Sequence, residues 1–359
     1  MHYYSVSAYM AELKILAEQT ANAEKLKGKT FLISGATGMI GSLIVDLILY
    51  GNQKYNWNSK VVALVRNPEK AKNRFSQKTE ADGLRLVQAD LGKELGTEVK
   101  EQVGYTDYII HLASNTHPKQ YATDPVNTVL SNIIGTNSLL TMAADLKAER
   151  FVLLSSVEIY GENRGDVDFF DENYCGYIDC ATLRAGYPEG KRAAEALCYA
   201  YAEQHGVDFV TVRLARAYGP TLQQSDTKAM SQFLWNALTG EAIVLKSRGT
   251  QQYSYIYAVD AVRGILWLLT EGKSREAYNL SGKNSNIRLR DLAQTIAELA
   301  GTDVIFKLPD AVEAAGYSKA TKALLDDTKI RNTGFFPQYD IKNGLGRTLQ
   351  ILNEVLRDS

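Results

Sequence analysis

Residues 33–41 read ISGATGMIG, with Gly35, Gly38 and Gly41 caught between an apolar run and a helical one. Glycine permits a tight turn and lets a backbone approach a pyrophosphate closely. A helix starting there aims free N–H groups and its positive dipole end at the anion. A glycine triplet alone means little. Its weight comes from the strand before it, KTFLIS (29–34), and the helix after it, SLIVDLILY (42–50). Gly35, Thr37, Gly38, Met39, Ile40 and Gly41 are the expected phosphate cradle, against the alternative of a plain Gly-rich turn.

The same alternation continues down the chain. KVVALV (60–65), LRLVQAD (84–90), YIIHLAS (108–114), RFVLLSS (150–156) and FVTVRLA (209–215) read as strands, and 127–146 as helix. Continuous β-branched runs suit parallel strands buried on both faces. The expected fold class is therefore α/β: a doubly wound parallel sheet of Rossmann type with a smaller, interleaved C-terminal substrate lobe. In that lobe 228–240, 258–271, 289–300 and 342–356 read as helices and AYNLSG (277–282) as a short strand. Residues 1–27 read as a polar amphipathic helix with Tyr9, Leu13, Leu16 and Ala17 on one face. The expected organisation is a helical extension (1–27), an NAD(P)-binding core (28–182) and a mixed part (183–359) holding the remaining strands and the lobe.

Composition removes several classes of function. Lys and Arg number 40 and Asp and Glu 41, so the basic excess of a nucleic-acid binder is absent. Three cysteines cannot build a disulfide framework, and Cys175, Cys180 and Cys198 form no Cys-x-x-Cys pair. His111 and His117 are six apart with no cysteine nearby, so no metal site is expected. No apolar run reaches the roughly 18 residues of a membrane span. Glu12, Lys14, Glu18, Glu24 and Lys25 interrupt what would be the apolar block of a signal peptide. A cytoplasmic protein with no membrane and no nucleic-acid partner is the expectation.

The strand ends carry the candidate chemistry. An acid normally ends the second strand and binds the adenosine ribose hydroxyls. This chain has Arg66 there, a group suited to a 2′-phosphate, so NAD and NADP both stand; a solvated loop charge is the alternative. Asp90 follows the third strand and is placed either for the adenine amino group or as a helix cap. Tyr187 and Lys191 are four apart at a helix start and so share one face. An ammonium beside a phenol favours the phenolate. Lowering a tyrosine by about three pKa units corresponds to roughly 4 kcal/mol. Ser155 and Ser156 emerge at the carboxyl edge of the fifth strand, where open α/β sheets bind ligands. Ser156 is placed to hydrogen-bond a reacting oxygen beside Tyr187. Glu158 is a candidate acid or base, or else an exposed loop carboxylate.

The set SGATGMIG, HLAS, SSVEIYG, YPEGK and RLARAYGP resembles the extended short-chain dehydrogenase/reductases, and within them the NAD-dependent epimerase/dehydratase family of nucleotide-sugar enzymes. The likeness runs from about residue 28 almost to the end, and YPEGKRAAEALCYAY is especially similar to UDP-glucuronate decarboxylases. The resemblance implies a tightly bound NAD or NADP, a nucleotide-sugar substrate and a homodimer built through paired helices, including that of Tyr187. It adds Leu91, Leu112, Ala113 and Ser114 to the cofactor site. It implies hydride removal from C4 of the sugar, with Tyr187 as base, Ser156 assisting and Lys191 on the nicotinamide ribose. The 4-ketone can then be epimerised, lose the C6 hydroxyl as water, or lose a C6 carboxylate as carbon dioxide. Glu158 favours the last two outcomes over 4-epimerisation.

Three departures bear on the substrate. Val157 replaces the Asp of those sugar dehydratases that carry an Asp-Glu pair. Tyr253, in GTQQYSYIYAVDA, replaces an Arg on which family decarboxylases rely. Arg216 replaces the Asn of R-x-x-N-x-(Y/F)-G-P, and the expectation is that it supplies the diphosphate guanidinium lost at 253; a structural ion pair is the alternative. Arg184, three before Tyr187, matches a family Arg in the substrate site. A non-catalytic nucleotide-binding protein on the same fold is the contrasting class. Ser156, Tyr187 and Lys191 together speak against it, since a pure binder needs no tuned phenol.

Overall fold

The computed structural model describes residues 3–20, 22–76, 78–116, 121, 123–307 and 321–358. His117, weighed above against a metal site, lies outside them. The apolar runs form β1 (Thr30–Ser34), β2 (Lys60–Val65), β3 (Leu84–Gln88), β4 (Tyr108–His111), β5 (Arg150–Ser156) and β6 (Phe209–Leu214). Further along lie β7 (Arg216–Tyr218), β8 (Ile243–Leu245), β9 (Gln252–Tyr257), β10 (Glu276–Leu280), β11 (Asn286–Arg288), β12 (Val304–Phe306) and β13 (Lys322–Ala323). The main sheet has seven parallel strands in the order β10-β6-β5-β4-β1-β2-β3. Phe31 and Ile33 of β1 are buried in one core and Leu32 in the other, so both faces of the sheet are covered.

Among the described residues, helices of seven residues or more are α1 (Ser7–Gln19), α2 (Met39–Tyr55), α3 (Pro68–Arg74), α4 (Thr97–Val103), α5 (Pro125–Leu146) and α6 (Gly186–His205). They continue with α7 (Ala229–Leu238), α8 (Ala258–Glu271), α9 (Leu289–Ala300) and α10 (Ile341–Arg357). The strand order reverses where β1 lies between β2 and β4. Such a switch point opens a crevice beyond the carboxyl ends of the strands.

The strand expected at 277–282 belongs elsewhere than expected. β10 is not part of the lobe; it closes the main sheet beside β6, with Tyr278 in register with Val212. Hydropathy marks a buried strand but cannot name its neighbours. The lobe is organised around β9, which pairs with β7, β11 and β13. Ala215 alone separates β6 of the main sheet from β7 of the lobe, so the two parts interleave within one residue.

The apolar stripe expected on the first helix is buried in α1: Tyr9, Leu13, Leu16 and Ala17. So is Glu12, which no periodicity could have placed there; it pairs with Arg347 of α10. Asp46 of α2 is also fully buried. It accepts from Tyr4 at 2.5 Å, from Arg74 Nη2 at 2.6 Å and from Tyr9. Buried carboxylates persist only with such partners. Among the described residues, no helix is long and apolar enough to cross a membrane.

Candidate active site

Gly35 opens the crevice. Its φ is +69°, and a Cβ there would lie 2.8 Å from the Ala113 amide nitrogen, so β1 and β4 can approach only through glycine. Gly41 is tighter, with a Cβ 2.2 Å from the Gly35 carbonyl oxygen. The first helical bond of α2 is Ser42 N–H to Gly38 O, at 2.9 Å. Gly38 caps α2 without a side chain. The N–H groups of Met39, Ile40 and Gly41 precede that bond and are the unsatisfied donors of a helix start. The lobe braces the loop from the far side: Gln223 donates to Thr37 O at 2.8 Å and Thr221 to Met39 O at 2.7 Å. This cradle fits a dinucleotide pyrophosphate.

A hydrogen-bonded chain fixes the opposite wall. Ser34 Oγ accepts from the amides of Leu112 and Ala113, both at 3.2 Å, and lies 2.7 Å from His111 Nδ1. With both lone pairs used, Ser34 must donate its proton to Nδ1. His111 Nε2 therefore carries the hydrogen and donates to Thr136 Oγ1 at 3.1 Å. Thr136 donates in turn to Asn132 O at 2.5 Å. Full burial, with Lys191 nearby, drives His111 down to about 3, so it stays neutral. An unfolded histidine titrates near 6.5. Between those values the unfolded chain binds more protons, so His111 removes stability as pH falls from about 6.5 towards about 3. His111→Asn should flatten that slope, reducing the loss between pH 7 and pH 4 by about 3 kcal/mol relative to the unmodified chain. Urea unfolding at the two pH values measures this, and parallel slopes would refute it.

Tyr187 and Lys191 lie in the first turns of α6 and are both buried. Lys191 Nζ donates to Leu154 O at 2.8 Å, and burial brings its pKa down to about 8, opposed by Glu195 and Cys198. The expected lowering of Tyr187 by Lys191 is not what this arrangement produces. Burial, and then Glu158, hold the phenol above its ordinary value, while a hydrogen bond with Ser156 and the charge of Arg184 oppose them. Ser156 Oγ also accepts from Glu158 N–H at 3.2 Å, which aims the short helical turn after β5. Glu158 Oε1 accepts from Arg184 Nη2 at 3.1 Å. Ser156, Glu158, Arg184 and Tyr187 thus meet in one place. Ser155 turns the other way and donates to buried Glu195 at 2.5 Å, so it is structural.

Other candidates divide by position. Arg216 places its guanidinium 3.9 Å from the ring centroid of Tyr253. Arg66 is exposed at the end of β2. Asp90 Oδ1 accepts from Gly92 N–H at 3.1 Å, capping the turn after β3 and leaving its second oxygen outside that bond. Leu91 is buried in the core against Gly135, so only its backbone can meet a ligand. Leu112, Ala113 and Ser114 line the crevice half-buried, and Ser114 donates to Asn132 Oδ1 at 2.9 Å. Tyr121 was missed. It stacks on Tyr187, 5.4 Å between ring centroids, and Arg184 lies 5.7 Å from its ring. No apolar periodicity or motif in the sequence marks it. His111 was named only as a failed metal ligand, although its place in HLAS was a usable signal. Among the described residues, no group of three or more His, Cys, Asp or Glu side chains is placed to hold a metal.

A glycine cradle at a sheet switch point, beside a Ser–Tyr–Lys set, defines a dinucleotide-dependent oxidoreductive enzyme fold. Residues 31–281 match the NAD dependent epimerase/dehydratase family, and the chain belongs to it. The chain is 32% identical over 277 residues to UDP-glucuronic acid decarboxylase 6 of Arabidopsis thaliana, covering 77% of this chain and 76% of the relative. To UDP-glucuronic acid decarboxylase 1 of Danio rerio it is 30% identical over 334 residues, covering 91% and 73%. A dTDP-glucose 4,6-dehydratase from Streptomyces venezuelae, solved with NAD, superposes with a TM-score of 0.74 at 25% identity, covering 90% of this chain and 96% of that one. A UDP-glucuronic acid 4-epimerase from Bacillus cereus shares the fold with a TM-score of 0.76 at 20% identity, covering 91% and 99%.

Proposed function

We propose that the protein oxidises a UDP-uronic acid at C4, releases its C6 carboxyl group as carbon dioxide, and reduces C4 again. The observation that carries this reading is the convergence of Ser156, Tyr187 and Glu158, with Arg184 fixing the carboxylate. Similarity to decarboxylases over most of the chain supports that outcome among the three.

When bound, NAD(P) takes the C4 hydride and later gives it back. The α2 amides and the wall at 112–114 would hold it, with Lys191 toward its ribose. Tyr187, hydrogen-bonded to Ser156, takes the O4 proton as the C4 hydrogen leaves. The C6 carboxylate is now β to a ketone, so the C5–C6 bond breaks and its electrons pass into a C4–C5 enolate. Ser156 and Tyr187 face the enolate oxygen. C5 then takes up a proton from water, which Glu158, held as a carboxylate by Arg184, is positioned to orient and relay. Return of the hydride to C4 and of the proton from Tyr187 to O4 completes a pentose.

A second reading, 4,6-dehydration, is favoured by Tyr253 standing where family decarboxylases have Arg. Glu158 would then remove the C5 proton while the C6 hydroxyl leaves as water. Mass spectrometry of products from UDP-glucuronate, UDP-glucose, dTDP-glucose and GDP-mannose decides. Loss of carbon dioxide is expected from UDP-glucuronate. Loss of water from a hexose substrate would establish dehydration, and an isomer of unchanged mass would establish epimerisation. The cofactor released on denaturing the protein is read in the same run. NADP there would support Arg66 as its 2′-phosphate partner, and NAD would leave Arg66 a solvated charge.

A further inference from the structure

Arg216 is the first residue of β7, just where the chain crosses from the main sheet into the lobe. It lies in register with Tyr255 on the parallel strand β9. Tyr253 and Tyr255, two apart on a strand, share one face of the lobe sheet. The Arg216 guanidinium carbon sits over the Tyr253 ring, 3.9 Å from its centroid. Its Nε is buried and has no hydrogen-bond partner. A buried N–H without a partner is costly unless something else supplies the acceptor. Stacking occupies the guanidinium face and leaves its edge, the part that grips a planar carboxylate with two parallel bonds.

The surroundings say where that acceptor belongs. Glu158 and Tyr121 act electrostatically on Arg216. Glu158 is already paired with Arg184, and Tyr121 is stacked on Tyr187. Two guanidiniums, Arg184 and Arg216, therefore share the single carboxylate of Glu158. The guanidinium absent at position 253 reappears over that position, supplied from the next strand.

We propose that Arg216 binds the C6 carboxylate of a uronosyl nucleotide and so selects acidic over neutral sugars. This rests on the nucleotide-sugar reading above and replaces the diphosphate role expected from sequence. The charge of Glu158 and the phenol of Tyr121, which stacks on Tyr187, both act on Arg216, which puts the guanidinium on the reacting side of the pocket.

Calorimetric titration with UDP, UDP-glucose and UDP-glucuronate, all in a Tyr187→Phe background that blocks turnover, tests the assignment. Arg216→Gln should weaken UDP-glucuronate about 10- to 100-fold, the range for a lost hydrogen bond to a charged group. UDP and UDP-glucose should be unchanged, which also shows that the variant is folded. Arg216→Lys should recover part of the loss. Equal weakening of all three ligands would overturn the proposal and return Arg216 to the diphosphate. Unchanged UDP-glucuronate affinity would overturn it outright, as would a Tyr187→Phe parent that binds both sugars equally well. Selective loss, where the unmodified protein releases no carbon dioxide, would uphold Arg216 and sink only the decarboxylase reading. A Tyr187→Phe parent that binds none of the three would overturn both.

Discussion

Tyr187→Phe should lower turnover of the accepted nucleotide sugar by about 100- to 10,000-fold, the usual worth of a positioned acid–base group. The substitution is narrow. Phenylalanine keeps the ring that stacks on Tyr121 at 5.4 Å and fills the same buried space. It removes only the hydroxyl that meets Ser156 and feels Glu158. Dinucleotide content, read by absorbance of the purified protein, should be unchanged, because the α2 amides and the 112–114 wall are untouched. Single-turnover rates, followed as hydride transfer from C4, isolate the chemical step. A residual rate within about tenfold of the unmodified enzyme would remove Tyr187 from the acid–base role. The phenol starts above its ordinary pKa, held there by burial and then Glu158. Lys191, whose ammonium donates to the Leu154 carbonyl, is not among the groups that shift the phenol here.

Gly41→Ala should damage folding and cofactor binding together. An alanine Cβ would stand 2.2 Å from the Gly35 oxygen, 2.9 Å from its carbonyl carbon and 3.0 Å from Ala36 Cα. All three are backbone atoms, so no side chain can swing aside. The loop must open or α2 must slide away from it. Overpacking of this kind costs about 1–3 kcal/mol. The same movement disperses the amides of Met39, Ile40 and Gly41, so NAD(P) affinity should fall at least about tenfold, as for one lost charge-assisted hydrogen bond. Gly346→Ala on α10 is the control. Nothing lies within 4 Å of its Cβ, and helix propensity predicts a gain of up to about 1 kcal/mol. Urea unfolding and fluorescence titration with NAD(P) measure both effects. An alanine at 41 that left both unchanged would show that the glycine is not sterically required.

Local pattern made much of this legible. The glycine loop, the strands at 60–65 and 150–156, and the Tyr187–Lys191 face depend on spacing within a few residues, and spacing is what a sequence displays. What stayed hidden depends on distant partners. Tyr121 gains its place from α6, and Arg216 its orientation from a tyrosine on another strand. β10 looks like any short apolar strand until it is seen to complete the main sheet. Glu12 and Asp46 break the apolar patterns of their helices and are tolerated only because Arg347, Arg74 and two tyrosines reach them. The direction of the Tyr187 shift was misjudged for the same reason. Helical spacing places Lys191 on the right face but does not reveal that its ammonium is committed to the carbonyl of Leu154.

The clasp between α1 and α10 has a consequence for biosynthesis. Glu12 and Arg347 are 335 positions apart, and Ala8 N–H donates to Glu354 on the same helix at 3.1 Å. A ribosome adding about 5–20 residues per second needs roughly 20–70 s to travel between the two halves of that contact. Throughout that interval Glu12 has no arginine and Ala8 N–H no Glu354, although Tyr9 can already reach Asp46 of α2. α1 is thus finished only once α10 has emerged. Long-range closure of this sort slows folding and leaves the Glu12 carboxylate the last charge on α1 to be neutralised.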